Sequence, residues 1–542
     1  MKLKFVAALL AGSAIAFSAP ALARDAPSRQ DAPEPTEPDP SDAAADAAIA
    51  NAQPVDDAAA KIELLQQQVE ALQSAIEQIK TQQAKVVPTW KGAPQYDDKD
   101  AGWSFKPKGL LQYDAGYVGF PNGDERRGTI LGITQTGAQN VSAGLNYNNL
   151  GWSTRARRLT IGADGTLPGG FRYSAEFNFA QSNVDFEDVL LAYDFKKSPL
   201  TAQFGYFYPF SSLETMTSSK YTSFMERAGI TDAFSHNRRI GAALVANDKV
   251  SDKWVAQAGI FSEEMNADEF NRSGWLFGAR GVFSPTLGST RLHLGANFQH
   301  RVNRKEVQAK NYQARPMTQI TNQRFISTGN IPAKGDDIIG LELAAIMKSF
   351  HVAAEAQKVW VRDAYDQAEL NAILADLGTN TTPTGAALNG SPSFWGGYAE
   401  AGFYLTGETR AYKGGSFGRV KVLHPFNDGG WGAWQVNARA DYLDLSDRVD
   451  GSSGLLAAPF YVNGGKQLAL QASVIWNPMD YVRFMAQYSH VNVTGGPRVS
   501  MSTAVSPTAA QLGMFPLDLT PEPINDRDFN SNVFTMRAQV DF

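Results

Sequence analysis

The sequence predicts an all-β protein: a 16-stranded antiparallel transmembrane β-barrel with an N-terminal linker and a short coiled-coil helix. Three observations predict this fold. Apolar and polar residues alternate with period two over most of the chain, sixteen segments alternate in this way, and the connections between them are short and long in turn. With 19% charged and 11% aromatic residues, the 542-residue chain as a whole is neither disordered nor a coiled coil.

The alternation is clearest at the C-terminus. Phe534, Met536 and Val540 fall on one face of an extended chain, and Arg537 and Gln539 fall on the other. A soluble sandwich also alternates. Many successive strands of ~10 residues, each with charge on its polar face, are typical of a membrane barrel with an apolar outside and a wet lumen.

The alternating segments number sixteen, and an even number is what a bacterial single-chain barrel requires. We expect strands near residues 109–120, 155–166, 170–180, 187–196, 199–207, 237–247, 252–262, 273–284, 288–301, 336–348, 350–362, 395–406, 431–445, 464–477, 480–493 and 531–542. Short turns on one rim and long loops on the other suit a barrel with a periplasmic and an external side. Residues 407–430 are the exception, a long connection on the short-turn rim. A barrel of this size leaves an aqueous channel, so the sequence predicts a passive pore.

The N-terminus predicts export. Lys2 and Lys4 precede an apolar stretch over residues 5–17, and Ala21-Leu22-Ala23 supplies a cleavage pattern. We interpret residues 1–23 as a secretory signal peptide, because the apolar stretch is too short for a membrane anchor. After it, no apolar run approaches the ~18 residues that a membrane helix needs.

A strongly acidic segment follows the predicted signal. Residues 24–60 hold nine acidic residues and two arginines among many prolines and alanines. Such a segment buries too little apolar surface to order itself, which predicts a flexible linker. The net charge of −6 for the whole chain therefore describes the linker more than the body, and it gives no basis for nucleic-acid binding.

A heptad pattern predicts a coiled-coil helix over residues 61–84, followed by a connector over 85–108 and the barrel over 109–542. The apolar residues are spaced alternately three and four apart, at Ile62, Leu65, Val69, Leu72, Ile76 and Ile79. An amphipathic helix packed on the body is the alternative, but so narrow an apolar seam favours self-association. Fewer than four heptads do not fix the number of helices.

Catalysis and cofactor binding find no support. The chain has no cysteine, and its six histidines are scattered outside any H-E-x-x-H motif. No G-x-S-x-G motif occurs either. We expect no enzyme activity, no cofactor and no metal.

Several segments, in chain order, are similar to the phosphate-selective porin family of porins O and P. They are Arg155-Ala-Arg-Arg-Leu, Asp164-Gly-Thr-Leu-Pro-Gly-Gly-Phe-Arg-Tyr, Gln203-Phe-Gly-Tyr-Phe-Tyr-Pro-Phe-Ser-Ser-Leu-Glu, Thr217-Ser-Ser-Lys, Phe224-Met-Glu-Arg, Gly402-Phe-Tyr-Leu-Thr-Gly-Glu-Thr-Arg-Ala-Tyr-Lys and Gly432-Ala-Trp-Gln. The resemblance implies a homotrimeric outer-membrane porin with an inward-folded third loop. It also implies an extended connection where residues 407–430 stand.

The same resemblance implies anion selection by basic residues at the constriction. The matching residues are Arg155 and Arg158, Arg157 shifted by one position from the usual double arginine, and Lys220 and Arg227 on the third loop. Each lumenal arginine has an alternative role as a wall salt bridge.

The third loop also departs from the family. Phosphate-specific members place a lysine directly after the Leu-Glu of that loop, where this chain has Thr215. We therefore expect anion preference without tight phosphate binding.

The expected function is passive diffusion of small anions, phosphate or related oxyanions, through a porin surrounded by outer-membrane lipid. A porin for another small solute, such as organic acids, is one alternative. The other is a barrel whose residues 61–84 tether the outer membrane to periplasmic partners or the cell wall.

Overall fold

The computed structural model describes residues 62–63, 65–77, 89–90, 92–98, 100–119, 150–180, 184–262, 274–303, 309–362, 391–449, 460–495 and 528–542. The predicted signal peptide and acidic linker lie outside these residues. The chain divides into two units, residues 1–81 and 82–542.

In the first unit, residues 62–63 and 65–77 are helical. The apolar side chains of the heptad pattern in this helix are all at least half exposed, from 50% for Ile76 to 62% for Leu72. The predicted helix is therefore present over these residues, and the coiled coil stays a prediction.

The second unit contains a closed barrel of sixteen antiparallel strands, as predicted. Within the described residues the strands are β1 (Trp103–Val118), β2 (Gly151–Leu167), β3 (Phe171–Asn178), β4 (Asp185–Asp194), β5 (Leu200–Phe207), β6 (Arg239–Asn247), β7 (Trp254–Ser262), β8 (Trp275–Phe283), β9 (Thr290–Val302), β10 (Gly335–Met347), β11 (Phe350–Arg362), β12 (Ser393–Tyr404), β13 (Ala433–Val449), β14 (Phe460–Met479), β15 (Val482–Thr494) and β16 (Asp528–Asp541). Each strand pairs with its neighbours in sequence, and β16 pairs with β1. Closure gives each of these sixteen strands a neighbour on both sides.

The first strand starts at Trp103 instead of Gly109. Pro107 lies inside it, opposite Ala163 of β2, and a proline in an alternating run hides the strand pattern. The short strand Pro94–Asp98 pairs with the added residues, and Thr89–Trp90 pairs with that short strand in turn. Part of the predicted connector 85–108 is thus sheet.

The two faces of each strand differ as the period-two pattern predicts. In β16, Phe534, Met536 and Val540 are 38–43% exposed on the outside, whereas Arg537 and Gln539 are 2% exposed on the inside. The outward set forms an apolar surface suited to lipid, and the inward set supplies a polar lumen.

The two rims differ in the length of their connections. Short turns join the strands at residues 168–170, 195–199, 248–253, 284–289, 348–349 and 480–481. In the tightest, Gly169 and Gly170 have φ of +93° and +100°, values that a residue with a Cβ atom rarely adopts. In outer-membrane barrels the short turns face the periplasm, which orients the molecule.

Two longer connections fold into the lumen, loop L3 (208–238) and loop L5 (303–334, described at residue 303 and over 309–334). From the short-turn rim, part of connection T6 (405–432) also enters it. L5 is a hairpin of Ala309–Ala314 and Ile326–Pro332. Its Tyr312 packs edge-on against Phe234 of L3, with ring centres 6.0 Å apart, in a buried apolar cluster that also contains Phe325 and Phe394. The lumen is therefore not wet throughout, because L3 and L5 build an apolar core inside the barrel.

Candidate constriction and ion pathway

Loop L3 leaves the wall after β5 and crosses the lumen to strands on the other side. The backbone N–H groups of Leu213 and Glu214 donate to the Glu355 carboxylate of β11 at 2.9 and 2.8 Å. The Glu214 carboxylate in turn pairs with Arg439 of β13 at 2.7 Å. These groups are buried, so each bond replaces water that the groups have lost.

Further along, L3 is held by strands β13, β15 and β16. The N–H of Gly229 donates to Asp441 at 2.9 Å, and Arg483 donates to the carbonyl of Lys220 at 2.8 Å. Arg537 donates to the carbonyl of Met225 at 2.6 Å. L3 is thus fixed against the β11–β16 side of the barrel.

The open space lies on the other side of L3. A cavity of about 900 Å³ runs between L3 and the β2–β5 wall. The charged residues lining it are six cations and six carboxylates: Arg157, Arg158, Lys220, Arg227, Arg238 and Arg315, and Glu176, Asp185, Glu187, Asp188, Glu226 and Asp232. Since the numbers balance, the pairing of these charges decides the local field.

A β-bulge in β2 brings the predicted arginines together. Gln112 of β1 pairs with Arg158 and the next residue, Tyr113, pairs with Ala156, so Arg157 is the extra residue of the bulge. Arg157 and Arg158 both line the cavity, although they are neighbours in sequence. The bulge therefore places two successive arginines on the same side of the strand.

The two neighbouring arginines differ in their partners. Arg157 forms a two-pronged ion pair with Glu226 of L3, at 2.9 and 3.1 Å. Arg158 donates to the neutral side chain of Gln112 at 2.8 Å. Arg157 therefore anchors L3, whereas Arg158 forms no direct ion pair with a carboxylate among the described residues.

Glu226 accepts from two arginines. Arg537 approaches it at 2.7 Å in addition to Arg157. Burial alone would raise the pKa of the Glu226 carboxyl, but the charges of Arg157 and Arg537 outweigh burial and hold that pKa well below its usual range. Glu226 is a fixed negative charge at the constriction.

The two basic L3 residues predicted from the sequence also have neutral partners. Lys220 donates from Nζ to the carbonyl of Gly109 at 3.3 Å. Arg227 donates to the carbonyls of Glu214, Thr215 and Thr217 at 3.0–3.2 Å. Both side chains are half-buried beside the cavity.

Arg227 also lies close to Thr215. The Thr215 hydroxyl is buried and lies 2.8 Å from the Ser235 hydroxyl. The guanidinium of Arg227 lies against the backbone at this point, so a cation stands beside residue 215. A guanidinium whose donors are used on carbonyls has fewer left for an oxyanion.

Arg155 lies nearer the external rim. It is opposite Asp114 in the β1–β2 ladder and donates to the carbonyl of Gln319 and the side chain of Asn322, both in L5, at 2.6 and 3.0 Å. It does not line the cavity. The strand register orders the predicted cations from the outside inward as Arg155, Arg158 and Lys220, since Lys220 contacts Gly109, which is opposite Ile161.

A second bulge, in the β3–β4 ladder, gathers carboxylates. Ala175 pairs with Val189 and Phe177 pairs with Phe186, which leaves Glu187 and Asp188 opposite Glu176. Arg238 at the end of L3 forms ion pairs with both Glu187 and Asp188. Its guanidinium also lies 4.2 Å above the ring of Tyr208, where it and Arg227 outweigh burial and lower the pKa of that phenol.

Arg238, Tyr208 and Glu226 are residues that the sequence-based prediction missed. The prediction selected basic residues within the family-like motifs, so acidic Glu226, neutral Tyr208 and Arg238, which lies outside those motifs, were not selected. The motif Phe224-Met-Glu-Arg contains Glu226 beside Arg227, and that glutamate was a usable signal. The described residues contain no group of three or more histidine or acidic side chains arranged to hold a metal ion.

Other lumenal arginines form wall salt bridges. Arg280 pairs with Glu342 at 2.7 Å and Arg439 pairs with Glu400 at 2.6 Å, all four side chains being at most 4% exposed. These buried pairs hold strands and L3 together. They contribute little net charge to the pathway.

The closed barrel, its apolar outer face and its constricted polar lumen define the class of this protein, an outer-membrane porin. The family model named phosphate-selective porin O and P matches residues 131–515, and the chain belongs to that family.

Two relatives cover most of the chain. An uncharacterized protein of Caulobacter vibrioides is 34% identical over 466 residues, 84% of this chain and 77% of its own length. Porin O of Pseudomonas aeruginosa is 25% identical over 446 residues, 76% of this chain and 88% of its own length. Among solved structures, OmpT of Vibrio cholerae aligns with a TM-score of 0.43 and 10% identity, covering 81% of this chain and 98% of OmpT.

Proposed function

We propose that this porin conducts small anions, phosphate or related oxyanions, with a modest preference over cations and without tight phosphate binding. The single observation that carries the proposal is the pairing of charges along the cavity. Among the described residues no carboxylate forms a direct ion pair with Arg158, Lys220 or Arg227. Glu226 and Asp232, in contrast, are each held by two arginines. Unpaired cations at a narrow passage attract anions.

The expectation of weak phosphate binding rests on how the donors are used. Tight binding of an oxyanion needs several donors that converge on one small site. In this chain Arg227 donates to three carbonyls and residue 215 is a threonine. The available cations are spread along a cavity of about 900 Å³.

The test is the reversal potential of single channels in a potassium chloride gradient, followed by titration of phosphate into chloride. We expect anion preference and no block by micromolar phosphate. Cation preference would contradict the proposed role of Arg158, Lys220 and Arg227. Block at micromolar phosphate would contradict the inference from Thr215, and Thr215→Lys should strengthen whatever block exists.

We also propose a homotrimer, on the family resemblance and the apolar outer face. The barrel should migrate in a detergent gel as a trimer that dissociates only on heating. A monomer in mild detergent by light scattering would contradict this assembly.

A second role is favoured by the exposed heptad side chains of residues 62–77. We propose that this helix self-associates or contacts periplasmic partners or the cell wall, in addition to the channel. Cross-linking of single cysteines placed at exposed heptad positions separates self-association from contact with another molecule.

A further inference from the structure

Connection T6 has two limbs on opposite sides of the barrel wall. The inner limb (408–419) lies in the lumen, and the outer limb (423–431) lies on the outer surface. Arg419 is still inside, where it pairs with Asp541 and donates to the carbonyl of Asp480 at 2.6 Å. T6 therefore straddles the periplasmic rim within a few residues.

The inner limb supports L3 from below. The N–H of Phe417 donates to the Thr217 hydroxyl at 3.2 Å, and the Phe417 ring shares a buried cluster with Leu213. Arg410 stacks on the same ring at 3.7 Å and donates to the carbonyl of Tyr221 at 3.4 Å. Both ends of the L3 segment 213–221 thus contact the inner limb.

The outer limb lies on an aromatic surface that faces away from the lumen. Gln435 is buried in the lumen, so its neighbour Trp434 points outward, and Trp476 is its partner across the β13–β14 ladder. The two indole rings stack with centres 5.6 Å apart, and both indole N–H groups donate to the carbonyl of Trp431, at 3.1 and 2.9 Å. Phe426 packs edge-on against Trp476 at 6.1 Å.

The outer limb presents its own apolar side chains outward. Trp431 is 81% exposed, Phe426 61% and Leu423 51%. Three exposed large apolar groups in one short limb are unfavourable in water. Through Phe426 and Trp431 the limb contacts Trp476, which also stacks on Phe484 of the lipid-facing wall. The indole N–H of Trp431 has no partner among the described residues, which suits a ring with its body in lipid and its polar edge among headgroups.

We propose that the outer limb of T6 is an anchor that inserts Leu423, Phe426 and Trp431 into the headgroup region of the periplasmic leaflet, and that the inner limb transmits this anchorage to L3. The partner is a phospholipid surface. The anchorage is independent of which ion the channel prefers.

The absence of cysteine from the chain makes the test direct. Trp431→Cys and Val250→Cys each give one labelling site for an environment-sensitive fluorophore, and only variants that keep the folded, heat-modifiable form are used. Val250, 98% exposed in the turn 248–253 of the same rim, is the matched control. The probe is phosphatidylcholine that carries bromine either near the headgroup or near the chain end.

We expect emission from position 431 to shift to shorter wavelength and to be quenched most by the bromine near the headgroup, with little quenching at position 250. Emission at 431 that resembles emission at 250 would overturn the anchor. Disulfide formation between copies through Cys at 431, without lipid quenching, would overturn it in favour of a subunit contact.

The proposed transmission from the inner limb to L3 is tested by a separate measurement. The double variant Phe426→Ser and Trp431→Ser should increase open-channel current noise while the reversal potential stays unchanged, because L3 is loosened and its charges remain. Unchanged noise in this double variant would overturn the transmission to L3.

Discussion

The most discriminating prediction concerns two neighbours at the constriction with opposite charge. Arg158→Gln removes a cation whose partner is the neutral Gln112. Glu226→Gln removes the carboxylate that pairs with Arg157, while Arg537, which also contacts Glu226, keeps its ion pair with Asp114. Glutamine keeps the size of the side chain and part of its hydrogen bonding. The first change should lower the preference for anions, and the second should raise it.

The size of the effect follows from Coulomb's law. At ~6 Å in water, one charge stabilises a passing chloride ion by about 0.7 kcal/mol and disfavours potassium by the same amount. Screening in ~0.1 M salt reduces the sum of these two terms from about 1.4 to about 0.8 kcal/mol. That is about a fourfold change in the chloride-to-potassium permeability ratio for each substitution, in opposite directions.

The assay is the reversal potential in a potassium chloride gradient, for the parent and both variants. Lys249→Gln is the control, because Lys249 is in an exposed turn, where it donates to the carbonyl of Ser198 at 2.9 Å, and the variant changes the net charge by the same amount as Arg158→Gln. Shifts of the same sign in Arg158→Gln and Glu226→Gln would refute the reasoning, since they would reflect a disturbed L3 instead of the removed charge. An equal shift in Lys249→Gln would refute the location of the selective charges.

Three further predictions concern other parts of the molecule. Burial lowers the pKa of Lys220, so Lys220 should lose its positive charge, and the pore part of its anion preference, at a lower pH than an ordinary lysine. The pKa of the Tyr208 phenol is also lowered, and its ionisation adds a negative charge that acts in the same direction. In reversal potentials measured against pH, Lys220→Arg should remove the first contribution and Tyr208→Phe the second. Arg439→Met leaves the Glu214 carboxylate buried without its ion pair, which should reduce the free energy of unfolding by about 3–5 kcal/mol. On a detergent gel the folded form should therefore convert to the unfolded mobility at a lower temperature. An unchanged conversion temperature would contradict the anchoring of L3. Deletion of residues 61–83 should leave conductance per assembled channel intact, and its loss would mean that the heptad helix contributes to the pore.

The barrel itself was predictable because its signal is local. Each strand alternates within its own ten or so residues, as Phe534 to Val540 do, and no partner strand is needed to recognise it. The even count and the alternation of turn lengths then give the closed barrel. The largest difference is at the start of β1, six residues before the predicted one, where Pro107 interrupts the pattern. In addition, β2 and β14 each begin four residues earlier than predicted, and β13 ends four residues later.

The constriction was only partly predictable, because its chemistry depends on contacts between distant residues. Arg157 and Glu226 are 69 residues apart, and nothing in either segment indicates that they pair. The same holds for Glu214 and Arg439, which are 225 residues apart. A sequence identifies which residues are charged, but the fold decides which charges neutralise each other.

The two bulges show how the fold decides which charges along the cavity are paired. The bulge in β4 turns Glu187 and Asp188 to the same side, and Arg238 is shared between them. The bulge in β2 turns Arg157 and Arg158 to the same side, and Glu226 takes Arg157 while Arg158 keeps a neutral partner. A one-residue shift in either strand would change which side chain is left without a counter-charge, because successive residues of a regular strand face opposite sides. The proposed anion preference therefore depends on register as much as on composition, and a family member with the same arginine count and a different bulge should differ in selectivity.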